Sequence, residues 1–191
     1  MEAEEATFFS DVERIIALLE TKKLVILQGP HGCWKTQIGS LVAHRRSIPI
    51  KVLQINDQYD SKVLYGSCLE VPGAFLWQPS KFAQFLQQPC VILLKNLDHG
   101  GPDLAAAITD LAERGHAALA NGRHIRMDAK CRILGALSTD DHHHNHHLQQ
   151  LWRDYPYTVK MGPIQLAQMD ATLRATPKIQ TGGGLATVKN K

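Results

Sequence analysis

The segment from Leu24 to Thr36, LVILQGPHGCWKT, most constrains what this chain can fold into. Its apolar run predicts a buried strand, a glycine-containing turn follows, and Lys35 opens a predicted helix. This order is the pattern of a phosphate-binding loop, or P-loop, whose consensus is G-x-x-x-x-G-K-[ST]. The candidate nucleotide-binding residues are Gly29, Pro30, His31, Gly32, Cys33, Trp34, Lys35 and Thr36.

Trp34 departs from the P-loop pattern, because it stands where the second glycine belongs. The backbone N–H groups of a P-loop curl closely around phosphates, and glycine permits the positive φ and the close approach that this requires. A tryptophan adds a large side chain and has less conformational freedom. We therefore expect a damaged nucleotide site, in which the indole fills the phosphate cavity or packs on a partner.

A second motif is altered where the apolar strand Val91–Leu94 ends. In P-loop hydrolases this strand leads into two acidic residues, one for Mg²⁺ and one for the attacking water. Lys95 and Asn96 occupy those positions, and neither side chain can replace a carboxylate. Asp98 is an alternative Mg²⁺ ligand, but we prefer an ion pair of Lys95 with Asp98 or Asp103. We expect ATP binding to be weak or lost, and we expect neither Mg²⁺ binding nor ATP hydrolysis.

Hydrophobic periodicity and turn signals predict alternating strands and helices. The predicted strands are Leu24–Leu27, Lys51–Asn56, Val91–Leu94, Arg132–Leu137 and Tyr157–Met161. The predicted helices are one that starts at a capping box over Ser10 to Glu13, then Lys35–Arg45, a short one within Phe75–Leu86 opened by Pro79 near its first turn, and Asp103–Arg114. Asn121 and Gly122 predict a hairpin. The fold class is α/β, with a central parallel sheet flanked by helices.

Composition and charge narrow the class of protein. The net charge of +3 without a basic run argues against nucleic-acid binding. No apolar stretch reaches the roughly 18 residues of a membrane span. The four scattered cysteines fit a reducing compartment, so a cytoplasmic location is predicted. The histidine-rich run over residues 140–147 is typical of low complexity, and no metal site is predicted. One domain is predicted over residues 1–175, with its core at about 10–163 and a disordered tail at 176–191.

The order of P-loop, strand-end motif, inserted hairpin and fourth strand resembles an AAA+ core over about residues 10–163. VILLKNLDH is similar to the V-I-I-L-D-N-L-H-H strand end of neuron navigators and of the C-terminal module of cortactin-binding proteins. LQQLWR and RILGALST resemble the L-Q-Q-x-F-R segment and the fourth strand, Y-I-I-G-T-M, of the same proteins. LYGSCLEVPGAFLW is instead similar to the AAA+ modules of midasin and dynein.

This resemblance implies a role for several residues. Lys35 would contact the β- and γ-phosphates and Thr36 the metal. Thr139 would lie near the polar residue that senses the γ-phosphate, and Arg153 near the arginine finger that reaches a neighbouring subunit's nucleotide. The P-loop strand would lie beside the fourth strand, with the third next and the second outside. The family's helical lid would be missing or stunted here, as in a truncated relative or a fragment.

Together these features predict a degenerate AAA+-like module without ATP hydrolysis. It would act as a structural or protein-interaction domain of a cytoplasmic, cytoskeleton-associated protein. Protein partners are expected, a homo-oligomer is left open, and neither nucleic acid nor membrane is expected. Two alternatives stay open: an ATP-binding AAA+ ATPase with a non-standard Mg²⁺ site, or one subdomain of a midasin- or dynein-like ring protein.

Overall fold

A five-stranded parallel sheet organises the structure. The computed structural model describes residues 2–56, 59–61, 63–119, 121–139, 151–152 and 154–162, with side chains from residue 10 onward. In chain order the elements are α1 (Glu2–Thr21), β1 (Leu24–Gly29), α2 (Lys35–Arg45), β2 (Ile50–Gln54), β3 (Gly66–Val71), β4 (Ala74–Pro79), α3 (Lys81–Leu86), β5 (Val91–Lys95), a 3-10 turn (Leu97–His99), α4 (Pro102–Arg114), β6 (His116–Ala118), β7 (His124–Arg126), β8 (Arg132–Ser138) and β9 (Thr158–Lys160).

The spatial order of the sheet is β2-β5-β8-β1-β9, with every pair parallel. The P-loop strand β1 therefore lies beside the fourth predicted strand, with the third next and the second at the edge, and the predicted strand order is confirmed. Gly29 pairs with Ser138, and Leu94 with Gly135. The carboxyl ends of three neighbouring strands thus meet at one edge of the sheet, which is where ligands bind in open α/β folds.

Apolar layers cover both faces of the sheet. Successive side chains of a strand point to opposite faces, so Leu24 and Ile26 join the cluster under α3 and α4, whereas Val25 and Leu27 join the cluster under α1 and α2. All four side chains are fully buried. Burial on both faces explains why these strands read as continuous apolar runs in the sequence. The predicted α/β fold class is confirmed.

The helix α4 and the hairpin after it follow the sequence prediction. Pro102 occupies the first turn of α4, and Gly115 ends the helix in the left-handed conformation at φ 73. Glycine is favoured there because it has no Cβ to clash. The strands β6 and β7 then pair antiparallel on either side of Asn121 and Gly122.

The start of α1 was predicted wrongly. Its backbone is helical from Glu2, so the S-D-V-E motif at Ser10 lies inside the helix. The preceding segment, EAEEA, consists of strong helix formers, and the helix continues through it. A capping-box pattern is therefore not sufficient to locate a helix start when the residues before it also favour helix.

The segment before α3 differs in part from its prediction. Ala74–Pro79 is strand β4, paired antiparallel with β3 around the turn at Pro72 and Gly73. The aromatic residues of this segment favour strand, which explains the difference. Helix α3 begins only after Ser80, whose hydroxyl accepts a hydrogen bond from the amide of Ala83 at 3.0 Å. The short helix exists, but Pro79 is the last residue of β4 and does not open the helix, which is capped by Ser80.

Within the described ranges, no helix has both the length and the apolar character needed to cross a membrane. The predicted tail at 176–191 and the histidine-rich run at 140–147 lie outside the described residues.

A candidate phosphate-binding cavity

The loop between β1 and α2 has a glycine-type backbone at three of its positions, although one of them is not glycine. A Cβ atom on Gly29 would lie 2.7 Å from Cys33 Sγ and 2.8 Å from the carbonyl oxygen of Met161, so only glycine fits there. The chain then adopts positive φ at Gly32 (φ 78) and again at Trp34 (φ 60, ψ 29). Left-handed backbone costs a residue with a side chain about 1–2 kcal/mol. The loop thus has a left-handed backbone at Trp34, where the P-loop consensus has glycine.

The Lys35 side chain folds back onto this loop. Its ammonium donates hydrogen bonds to the carbonyl oxygens of Gly29 at 2.8 Å and Pro30 at 2.7 Å, and it contacts Cys33 Sγ at 3.4 Å. A lysine ammonium has three donors, so these contacts use all of them. Cys33 itself is fully buried among the apolar residues under α1 and α2.

A cavity of about 300 Å³ opens beside the loop, at the carboxyl edge of the sheet. Three segments form its wall: the loop with the first turn of α2, the end of β5, and the end of β8. The lining residues are His31, Gly32, Trp34, Lys35, Thr36, Gln37, Lys95, Asn96, Ala136, Leu137 and Ser138. Of the predicted nucleotide-binding residues, five line the cavity, whereas Gly29, Pro30 and Cys33 support the loop from behind.

Trp34 is partly exposed and forms one part of the cavity wall. The indole therefore leaves a cavity of about 300 Å³ beside it. This volume lies at the lower end of the range for small-molecule sites, which is roughly 300–1,000 Å³.

The charge of the cavity wall has one sign. Lys35 and Lys95 are on the wall, and no aspartate or glutamate is among its described lining residues. Clefts lined by one sign of charge concentrate ligands of the opposite sign. The arrangement therefore favours an anion.

The residues at the end of β5 do not fit Mg²⁺. This ion requires oxygen ligands, usually carboxylates. Lys95 is on the cavity wall, but Asp98 is not. Asp98 is only 2% exposed, and both of its carboxylate oxygens lack a hydrogen-bond partner among the described residues. The left-handed backbone at Asn96 (φ 55) turns the chain out of the strand, and the following 3-10 turn places Asp98 in the interior.

Two predictions about these residues therefore change. The described residues show no ion pair of Lys95 with Asp98 or Asp103, so that interpretation was wrong. Thr36 lines the cavity and Asp98 does not, so the structure does not bring together the pair required by a non-standard Mg²⁺ site. No group of three or more potential metal-binding side chains occurs anywhere in the described part of the chain.

The polar residue that β8 brings to the cavity is Ser138. It is 8% exposed and occupies the last position of the strand. Thr139 is exposed, its amide donates to the carbonyl oxygen of Gly29 at 3.2 Å, and its side chain borders a separate depression with Asp154 and Lys160. A shift of one residue reverses the face of a strand, so the alternation of β8 could have favoured Ser138. Arg153 lies outside the described residues, and its predicted role stays a prediction.

Two tyrosines with raised pKa values lie away from this cavity. Burial, with the nearby charge of Asp110, raises the pKa of Tyr65 to about 12. Burial also raises the pKa of Tyr155 to about 12, with smaller contributions from Tyr157 and Glu113. Both phenols pack against the apolar core under α3 and α4, so their shifts reflect the packing of the fold.

The strand order, the loop and the cavity define a P-loop module of the AAA+ type. The dynein-related subfamily of AAA domains matches residues 24–153. The chain therefore belongs to the AAA domain family, in its dynein-related subfamily. This subfamily agrees with the resemblance of LYGSCLEVPGAFLW to dynein and midasin modules, and the family implies a nucleotide-binding fold.

A solved structure supports the same fold. The crystal structure of a candidate ATPase from Cytophaga hutchinsonii ATCC 33406 is similar to this chain with a TM-score of 0.63 at 11% sequence identity. The match covers 90% of this chain and 55% of that protein. This chain thus spans about half of the length of that protein, and at this identity the likeness concerns the fold alone.

Proposed function

We propose that this protein is an AAA+ nucleotide-binding module that does not hydrolyse ATP and acts as a structural or protein-interaction domain. One observation carries the proposal. The cavity retains Lys35 and Thr36 of the P-loop, but Lys95 and Asn96 stand at the end of β5 where a hydrolase needs carboxylates. The module therefore keeps a phosphate-binding surface and lacks the groups that catalyse phosphoryl transfer to water.

The missing groups account for the loss of turnover. Asn96 cannot accept the proton of an attacking water, and the ammonium of Lys95 repels a divalent cation. Removal of one charge-stabilising group commonly lowers a catalytic rate by about 10²–10³. With two such groups replaced, we expect hydrolysis below detection.

Exposed apolar residues on the β3–β4 hairpin support the interaction role. Phe75 is 76% exposed and Leu76 58% exposed, while Leu69 is 44% exposed on the partner strand. Leu76 and its cross-strand pair Leu69 share one face of the hairpin, and Phe75 is on the other face. Large apolar side chains exposed on one element are typical of surfaces that contact other proteins. The cytoplasmic and cytoskeletal setting of the proposal depends on the resemblance of VILLKNLDH and LQQLWR to navigator and cortactin-binding proteins.

The match to the dynein-related subfamily favours a second candidate, in which the chain is one module of a ring and adjacent modules or copies complete it. Size-exclusion chromatography with light scattering, with and without ATP, separates the two. A defined oligomer that requires ATP supports the ring module, whereas a monomer that binds a distinct protein supports the interaction domain.

The central test is steady-state phosphate release from Mg·ATP. We expect the parent protein to release phosphate no faster than the Lys35→Ala variant, which lacks the P-loop ammonium. Release clearly above that control would refute the proposal, because it would show that a catalytic apparatus is present.

A further inference from the structure

We propose that Lys95 replaces Mg²⁺ as the cation at the end of β5, so that the cavity binds the phosphate chain of a nucleotide as a metal-free anion. The inference rests on the proposed function, because it assigns the form of the ligand for the same site. One observation supports the inference. The cavity wall contains the ammonium of Lys95 where a metal-binding carboxylate is expected.

The position of Lys95 is suited to this role. It is the last residue of β5, it is partly buried, and it lines the same cavity as Lys35 and Thr36. Its ammonium makes no hydrogen bond or ion pair with any described residue. A partly buried ammonium without an anionic partner gains from an incoming anion, because water solvates it incompletely. Phosphate oxygens are strong acceptors for such a donor.

Lys35 supplies the second positive charge, but unlike Lys95 its ammonium is already hydrogen-bonded. Its ammonium is held by the carbonyl oxygens of Gly29 and Pro30, which are neutral acceptors. These contacts fix the ammonium beside the cavity without cancelling its charge. An arriving phosphate can therefore take charge-assisted hydrogen bonds from Lys95 and electrostatic stabilisation from Lys35.

A bound Mg²⁺ ion would meet an unfavourable environment here. It would approach two ammonium groups, and none of the described wall residues contributes a carboxylate to offset their charge. Asp98, the closest acidic residue along the chain after β5, is buried and does not line the cavity. Conventional P-loop sites bind nucleotide together with the metal. This cavity reverses that preference, because the protein itself provides the cation.

The preference is measured on the full chain by isothermal titration calorimetry with ATP, once with EDTA and once with excess Mg²⁺. We expect ATP to bind at least about 10-fold more tightly in EDTA, because the metal complex must be shed or accommodated beside like charges. Inorganic tripolyphosphate in EDTA is the second ligand. Tighter binding of ATP than of tripolyphosphate assigns the site to a nucleotide, and equal binding assigns it to any polyphosphate chain.

Substitutions at Lys95 link the effect to the residue. Lys95→Gln removes the charge, and we expect it to weaken metal-free binding about 10- to 100-fold, the range for a charge-assisted contact. Lys95→Arg keeps the charge and should bind within a few-fold of the parent. Lys130→Gln is the matched control, because Lys130 is exposed and precedes β8 at the opposite edge of the sheet. Thermal unfolding establishes that each variant is folded.

Three results would overturn the inference: tighter binding of Mg·ATP than of metal-free ATP, unchanged metal-free affinity in folded Lys95→Gln, or no binding of either ligand by the parent. The ratio of the ATP affinities in EDTA and in excess Mg²⁺, measured on the parent protein, decides the first of these results without any variant. Failure of the proposed function has a different signature, which is phosphate release from Mg·ATP above the Lys35→Ala control. Absence of both binding and release overturns the inference and leaves a structural domain without hydrolysis.

Discussion

Replacement of Trp34 by glycine and by alanine isolates the backbone strain in the loop. Both variants lose the indole, but only glycine adopts φ 60 without a steric penalty. Left-handed backbone costs alanine about 1–2 kcal/mol, and the larger freedom of glycine in the unfolded chain offsets about 0.5–1 kcal/mol of that. We therefore expect Trp34→Gly to exceed Trp34→Ala in free energy of unfolding by about 0.5–1 kcal/mol.

Urea unfolding followed by circular dichroism measures this difference. For a chain of this size it corresponds to about 1–4 °C in Tm. Gln37, three residues further along in α2, provides the control, because its backbone is helical. There the order should reverse, with Gln37→Ala more stable than Gln37→Gly by about 1 kcal/mol. If Trp34→Ala is as stable as Trp34→Gly while the Gln37 pair behaves as expected, the left-handed conformation at Trp34 carries no strain and the reasoning is refuted.

Three further predictions follow from the site and its supports. The double variant Trp34→Gly/Lys95→Asp restores a flexible loop and a carboxylate. Calorimetry should therefore show tighter Mg·ATP binding than in the parent, while phosphate release stays undetectable. Unchanged affinity in a folded double variant would contradict a P-loop origin. Gly29→Ala should lower the free energy of unfolding by about 1–3 kcal/mol, since its Cβ would meet other atoms at 2.7 and 2.8 Å. The control is Gly101→Ala, whose Cβ would lie in open space and which should change the free energy of unfolding by less than about 1 kcal/mol. Native protein should react with a thiol reagent rapidly at Cys68 alone, because the other cysteines are buried, and fast reaction of a second thiol would contradict this packing.

Local signals in the sequence predict much of the fold. The strand β1 and the helix α2 could be located because an apolar run, a turn and a helical period follow one another without interruption. The end of α4 could be located because Gly115 is required for its left-handed conformation. The strand order followed from the resemblance to AAA+ proteins, since periodicity alone contains no information about which strands pair.

The candidate site was predictable in its residues but not in its contacts. Lys35 and Thr36 were identified from the motif, and the structure places both on the cavity wall. The environment of Lys95 was not predictable, because the turn after β5 depends on a left-handed residue, Asn96, that has no glycine to mark it. That turn sends Asp98 into the interior and leaves Lys95 facing the cavity. The short separation of Lys95 and Asp98 in the sequence suggested a salt bridge, but the direction of the backbone after β5 does not allow it.

The register of β1 has a consequence for synthesis of the chain on the ribosome. Leu24 pairs with Ile133 and Ile26 with Thr158, so both neighbours of this strand are made long after it. At about 5–20 residues per second, the nascent strand waits roughly 5–20 s for its first partner. During that time its four apolar side chains have no sheet to join, and pairings between distant segments are slow to form. Among the described strands of the sheet, the strand that carries the P-loop is therefore the one that waits longest for a partner while the protein is being made.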